Sequence, residues 1–280
     1  MDTLQWIDSS VYNALEVQLE KRMSHSFQLG GSFTWSRSID GGDGALASDS
    51  FLNSIPALFY FLPRYRRGPS DFDIKDNLTV NYLWDLPTAL KSSAAGRTVT
   101  GGWQAGGVFT MTTGMPFTPR IAGDPLGLGD SAPFAYPDRL RGSGCNPATH
   151  SGSVTNYINL GCFTLPQQPA LVPAGVTCIP YSAVPGTCQN LLGNGGRNEI
   201  YGPGLVNLDF SAIKSTKIKD NMTLDFRGDF FNILNHADFK PPVDNSVLFN
   251  SDGTQAANAG QLDATSEDAR EVQLSVQLNF

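Results

Sequence analysis

The strongest constraint on this chain is a period of two. In EVQLSVQLNF, residues 271–280, Val272, Leu274, Val276, Leu278 and Phe280 alternate with Gln273, Ser275, Gln277 and Asn279. Successive side chains of a strand point to opposite faces, so this stretch presents one apolar face and one polar, uncharged face. The pattern recurs in VYNALEVQLE (11–20), where Leu15, Val17 and Leu19 alternate with Glu16, Gln18 and Glu20. FQLGGSFTW (27–35) aligns Phe27, Leu29, Phe33 and Trp35, and KDNLTVNYLW (75–84) aligns Leu78, Val80, Tyr82 and Trp84. WQAGGVFTMTT (103–113) does the same with Trp103, Ala105, Phe109 and Met111, and LVNLDFSAI (205–213) with Val206, Leu208, Phe210 and Ala212. In MTLDFRGDFF (222–231), Met222, Leu224, Phe226 and Phe230 oppose Thr223, Asp225, Arg227 and Asp229.

The alternation therefore predicts seven strands of about nine to eleven residues, the length at which a tilted strand crosses a bilayer. Their connections, at 21–26, 36–75, 85–102, 114–203, 214–221 and 235–270, alternate shorter with longer. Outer-membrane barrels pair short periplasmic turns with long extracellular loops, whereas a soluble β-sandwich has no reason to sort its loops by side. The expected fold is all-β: an antiparallel transmembrane β-barrel portion with long extracellular loops. Its polar face, including Glu16, Gln18, Asp225, Arg227 and Asp229, is expected to line the lumen. Trp84, Trp103 and Phe280 fall at strand ends on the short-turn side and Trp35 at the opposite end, as membrane-interface aromatics do.

Composition agrees with strands and turns. Charged residues make up 16% of the 280, apolar residues 40%, and there are 29 Gly and 18 Pro. A net charge of −7 argues against a nucleic-acid partner, which needs clustered Lys and Arg. The longest apolar run, IPALFYFLP (55–63), has prolines near both ends and is too short for a transmembrane helix. MDTLQWIDSS has neither a basic start nor an apolar h-region, so the biological N-terminus is expected upstream.

Cys145, Cys162, Cys178 and Cys188 all fall within the long connection 114–203 and suggest an oxidising compartment. Closing nearest-neighbour loops loses least entropy, which favours Cys145–Cys162 and Cys178–Cys188. The rival, a zinc site with all four as ligands, lacks a Cys-x2-Cys pair. Other motifs carry less. DGGDG (40–44) lacks the ligand pattern of an EF-hand, and GNGGRN (193–198) lacks the Lys-Ser/Thr of a phosphate loop. His25, His150 and His236 lie on separate connections and suggest no triad, so neither catalysis nor a cofactor or metal is expected. Arg64, Arg66 and Arg67 in PRYRRGPSDFD (63–73) read as a solvated loop face, with lipid phosphate or an anionic ligand as the alternative.

Six stretches, in order, resemble the C-terminal β-barrel of Oar-like TonB-dependent receptors: YNALEVQLEKR (12–22), SFTWSRSID (32–40), RGPSDFDIKDNLTVNYLWDLP (67–87), GMPFTP (114–119), GRNEIYGPGLVNLDFSAIK (196–214) and LDFRGDFFNILNHADF (224–239). The resemblance implies a barrel of about 22 strands, of which this chain supplies seven as a fragment. It implies an N-terminal carboxypeptidase-regulatory-like module, a plug and a TonB-interacting segment, none of them in this sequence. The implied function is binding a scarce solute at the loops of the outer membrane and importing it with energy delivered through TonB. The implied partners are the lipid bilayer, the plug, the remaining strands and the TonB system. The C-terminal strand with its final aromatic resembles the signal read by the outer-membrane assembly machinery. A non-transporting surface or adhesion barrel and a soluble carbohydrate-binding β-sandwich are the alternatives.

Overall fold

The computed structural model describes residues 9–41, 67–123, 134–142, 144–149, 153–166, 193–219 and 221–280. Seven long strands form one antiparallel sheet in chain order: β1 (Val11–Ser24), β2 (Phe27–Asp40), β3 (Asp76–Asp85), β4 (Trp103–Thr112), β5 (Leu205–Lys219), β6 (Met222–Phe231) and β7 (Glu271–Asn279). β1 and β2 extend beyond their alternating apolar residues, because ladder hydrogen bonds continue wherever both backbones stay extended. Among the described residues β1 pairs only with β2 and β7 only with β6, so the sheet is open at both edges.

Register converts the period of two into two continuous faces. Val17 stands opposite Phe33, Phe33 opposite Leu78, Leu78 opposite Met111 and Met111 opposite Val206. One residue along each strand, Gln18, Ser32, Thr79, Thr110 and Asn207 make the matching polar row. Directly paired residues share a face, so a one-residue slip anywhere would set apolar against polar side chains. The apolar face is not covered: Val17 is 52% exposed, Leu274 63% and Val276 66%.

All three short connections lie at one end. His25 and Ser26 close the first hairpin with φ of 51° and 63°, the left-handed values that a two-residue turn matching the strand twist requires. The connection from β3 to β4 contains a helix, α1 (Ala94–Thr100), absent from the strand pattern. Its signal is local: the Ser93 side chain accepts from the Gly96 amide as N-cap before a pair of alanines.

The long connections at the other end fold together. Pro116–Phe117 pairs with Ile200–Tyr201, and Arg120–Ala122 pairs with Phe134–Ala135 and, in parallel, with Val247–Phe249. The buried apolar core lies here, around Phe117, Ile158, Phe163, Ile200 and Leu248, rather than on the sheet. Cys145 is disulfide-bonded to Cys162, which is part of this core. Cys178, Cys188, His150, Arg64, Arg66, IPALFYFLP and most of DGGDG lie outside the described residues.

Candidate functional site

Where the sheet meets its loops, charged residues from distant segments converge out of water. Arg197, 4% exposed, pairs with Asp40 at 2.5 Å and with Asp71 at 3.5 Å. Ser70 donates its hydroxyl to Asp40, and Asn198 donates to Asp71 at 2.5 Å and to the Pro69 carbonyl at 2.8 Å. Thr118 completes this half by donating to the Asn198 side chain at 3.0 Å while accepting from the Asn198 amide at 2.9 Å. A buried cation with two carboxylates is tolerated only when such hydrogen bonds satisfy the remaining polar atoms. Gly68 is required here, because a Cβ on it would stand 2.5 Å from the Arg197 carbonyl oxygen.

Asp73 anchors the second half. Its carboxylate accepts from the Ser38 amide at 2.6 Å and from the Tyr201 hydroxyl at 2.6 Å, and it pairs with Arg37 at 3.1 Å. Arg37 also donates to the Tyr201 oxygen, and the Lys75 ammonium lies 3.7 Å from the centre of the Tyr201 ring. Burial, and then the hydrogen bond to Asp73, push the Tyr201 phenol well above its ordinary value. Burial and then Arg37 lower Lys75 below the usual lysine value, while Asp73 and Asp76 act the other way.

A third cluster ties β5 and β6 to the last long loop. Asp238 accepts from the Val206 amide at 2.8 Å and lies 2.9 Å from His236 Nδ1, while Asp209 accepts from the Asn232 amide at 2.9 Å. These clusters draw on SFTWSRSID, RGPSDFDIKDNLTVNYLWDLP, GMPFTP, GRNEIYGPGLVNLDFSAIK and LDFRGDFFNILNHADF, stretches that are separate in sequence and meet here as a framework. Sequence reasoning missed that role because a buried aspartate and an exposed one look alike in one dimension.

On the sheet, Glu16, Gln18, Asp225, Arg227 and Asp229 share the polar face. Arg227 pairs with Asp229 at 2.8 Å, Ser211 donates to the same carboxylate, and Asp225 accepts from Asn279 at 2.8 Å. Trp84 and Trp103 fall at the short-turn end, where Leu86 donates to the Trp103 carbonyl, and Phe280 follows the last paired residue at that end. Trp35 falls at the loop end, opposite Asp76.

A groove of about 840 Å³ opens at the loop end on the apolar side. Its sheet wall is Phe33, Met111 and Val206, and its loop wall includes Tyr157, Phe239 and Leu262. Lys75, Asp76 and His236 stand at its polar margin. Among the described residues no group of His, Cys, Asp and Glu is arranged to hold a metal ion.

Residues 1–273 match the family model described as an outer membrane beta barrel domain. The chain belongs to that family. No curated protein and no solved structure matches it. Membership places this outer membrane β-barrel domain in the outer membrane. The domain's described strands do not close on themselves.

Proposed function

We propose that this outer membrane β-barrel domain is the C-terminal part of an Oar-like TonB-dependent receptor that binds a solute at extracellular loops and imports it. The observation that carries this reading is the framework at the sheet–loop junction. Most of the stretches that resemble those receptors converge there, joining residues as far apart as Asp40 and Arg197. A loop end locked to the strands by buried ion pairs suits a receptor, because binding geometry survives only on a rigid support.

In this reading the apolar face meets lipid, and the polar face with Glu16, Gln18, Asp225, Arg227 and Asp229 lines a lumen occupied by a plug. Each open edge leaves a row of backbone donors and acceptors that hydrocarbon does not satisfy, so β1 and β7 pair with further strands. TonB acts through the plug, the assembly machinery reads the β7 end, and the domain performs no chemistry of its own. A non-transporting surface barrel is the second reading. It is favoured by the disulfide-bonded apolar core of the loop region, which gives displayed loops a packed support.

Lumen access separates the two. The protein carrying Gln18→Cys, in native outer membranes, is treated with a bulky impermeant maleimide with TonB intact and with TonB deleted. Labelling that requires TonB supports a gated receptor. Labelling that ignores TonB supports the surface barrel.

A further inference from the structure

The groove at the loop end has two unlike walls. Phe33, Met111 and Val206 belong to the same apolar rows that run down the sheet, so the groove floor continues into the apolar band without a break. Trp35 and Asp76, one step further along β2 and β3, mark where that band ends. The groove therefore sits at the level where headgroups meet chains, roofed by Tyr157, Phe239 and Leu262.

Charge at its margin is uneven. Arg37 is held by Asp73, whereas the Lys75 ammonium rests on the Tyr201 ring and forms no ion pair with a carboxylate among the described residues. Asp76 is the one acidic residue of the lining, and His236 faces Asp238 from the loop side. An amphiphile with apolar chains and an anionic head matches this arrangement: chains on the sheet wall, anion at Lys75.

We propose that the groove binds an acylated, phosphate-bearing lipid of the outer leaflet, with an acyl chain along Phe33, Met111 and Val206 and a phosphate at Lys75. The proposal rests on the lipid-facing reading of the apolar face. Such a lipid would fasten the loop region to the membrane surface beside the strands it overhangs.

The test uses the whole protein purified in detergent and stripped of lipid. Its probes are diphosphoryl lipid A, the same lipid without phosphates, and inorganic phosphate alone, with bound lipid read by native mass spectrometry. Lys75→Gln is expected to weaken binding of the diphosphoryl lipid at least about tenfold, the scale of one charge-assisted hydrogen bond, and to leave the dephosphorylated lipid unchanged. Met111→Trp, which fills the groove, is expected to weaken both, and Lys219→Gln, at the opposite end of the sheet, neither. Equal binding by all variants would overturn the proposal, as would displacement of the lipid by inorganic phosphate. Failure of the underlying reading looks different: the protein would stay monodisperse in buffer without detergent.

Discussion

Arg197 and Asp40 stand 157 residues apart in the chain and meet in a 2.5 Å ion pair whose side chains are 3% and 9% exposed. Arg197→Met would remove the cation that Asp40 and Asp71 share. Breaking a buried pair from one side costs about 3–5 kcal/mol, so the variant is expected to lose protease resistance in the loops and stability in liposome unfolding. Adding Asp40→Asn to it should recover part of the loss. Wild-type stability in the single variant would mean that the pair does not hold the loops.

Alkaline pH should loosen the same region. Tyr157 donates to the Tyr201 carbonyl at 2.7 Å, and burial pushes its phenol up to about 12. A raised value in the folded state means that folding favours the neutral phenol, so this stabilisation is complete below the ordinary value of 10.0 and is lost as pH rises through about 12. Tyr136 and Tyr201 shift in the same direction, chiefly through burial. Tyrosinate absorbance is expected to rise together with protease sensitivity of the loops, and Tyr157→Phe should reduce the pH dependence. An unaltered alkaline transition in that variant would count against a buried Tyr157.

The first hairpin turn is improvable. Ser26 holds φ of 63° without being glycine, a conformation that costs an L-residue roughly 1–2 kcal/mol. Ser26→Gly is expected to return about 1 kcal/mol of that, the remainder being offset by greater freedom of the unfolded chain. Ser26→Val should lower refolding yield into liposomes.

Neighbours on β4 should experience opposite surroundings. Phe109 is paired with Val80 and Leu208 in the middle of the apolar face, and Thr110 with Thr79 and Asn207 on the polar face. Arginine on the lipid side costs about 2–4 kcal/mol at the midplane and about 0–1 near the interfaces. Phe109→Arg should approach the larger figure and Thr110→Arg should be mild. Phe226→Arg is expected near the smaller figure, because Phe226 is paired with Lys214, whose ammonium reaches the Gly101 carbonyl beside Trp103. Equal penalties at Phe109 and Thr110 would remove the lipid face.

Removing the Cys145–Cys162 disulfide as the double serine variant opens a loop with a sequence separation of 17. Loss of loop-closure constraint is worth about 3 kcal/mol for a loop near this size. The expected outcome is earlier proteolytic cleavage near Ile158 and Phe163, while the sheet stays intact. Identical cleavage kinetics in both proteins would show that the loop core stands without the disulfide.

The sheet was legible in the sequence because alternation is local: Leu224, Phe226 and Phe230 declare a face within one strand, and hairpin pairing then carries it to the next. Strand order and the sorting of short and long connections follow from the same pattern. Helix α1 was not legible, since its seven residues carry no alternation and only the Ser93 cap announces it. The junction depended wholly on tertiary structure. Asp40, Asp73, Arg197 and Tyr201 are each unremarkable along the chain, and what makes them a framework is their enclosure by loops that arrive from far away. The groove has the same origin: Phe33 and Met111 belong to the apolar rows by sequence alone, but the wall of Tyr157, Phe239 and Leu262 exists only once the loops have folded over them. Periodicity encodes which way a side chain points, because that is a property of the local backbone. Which distant side chain it meets is decided by packing, where non-local contacts remove charges and aromatics from water together.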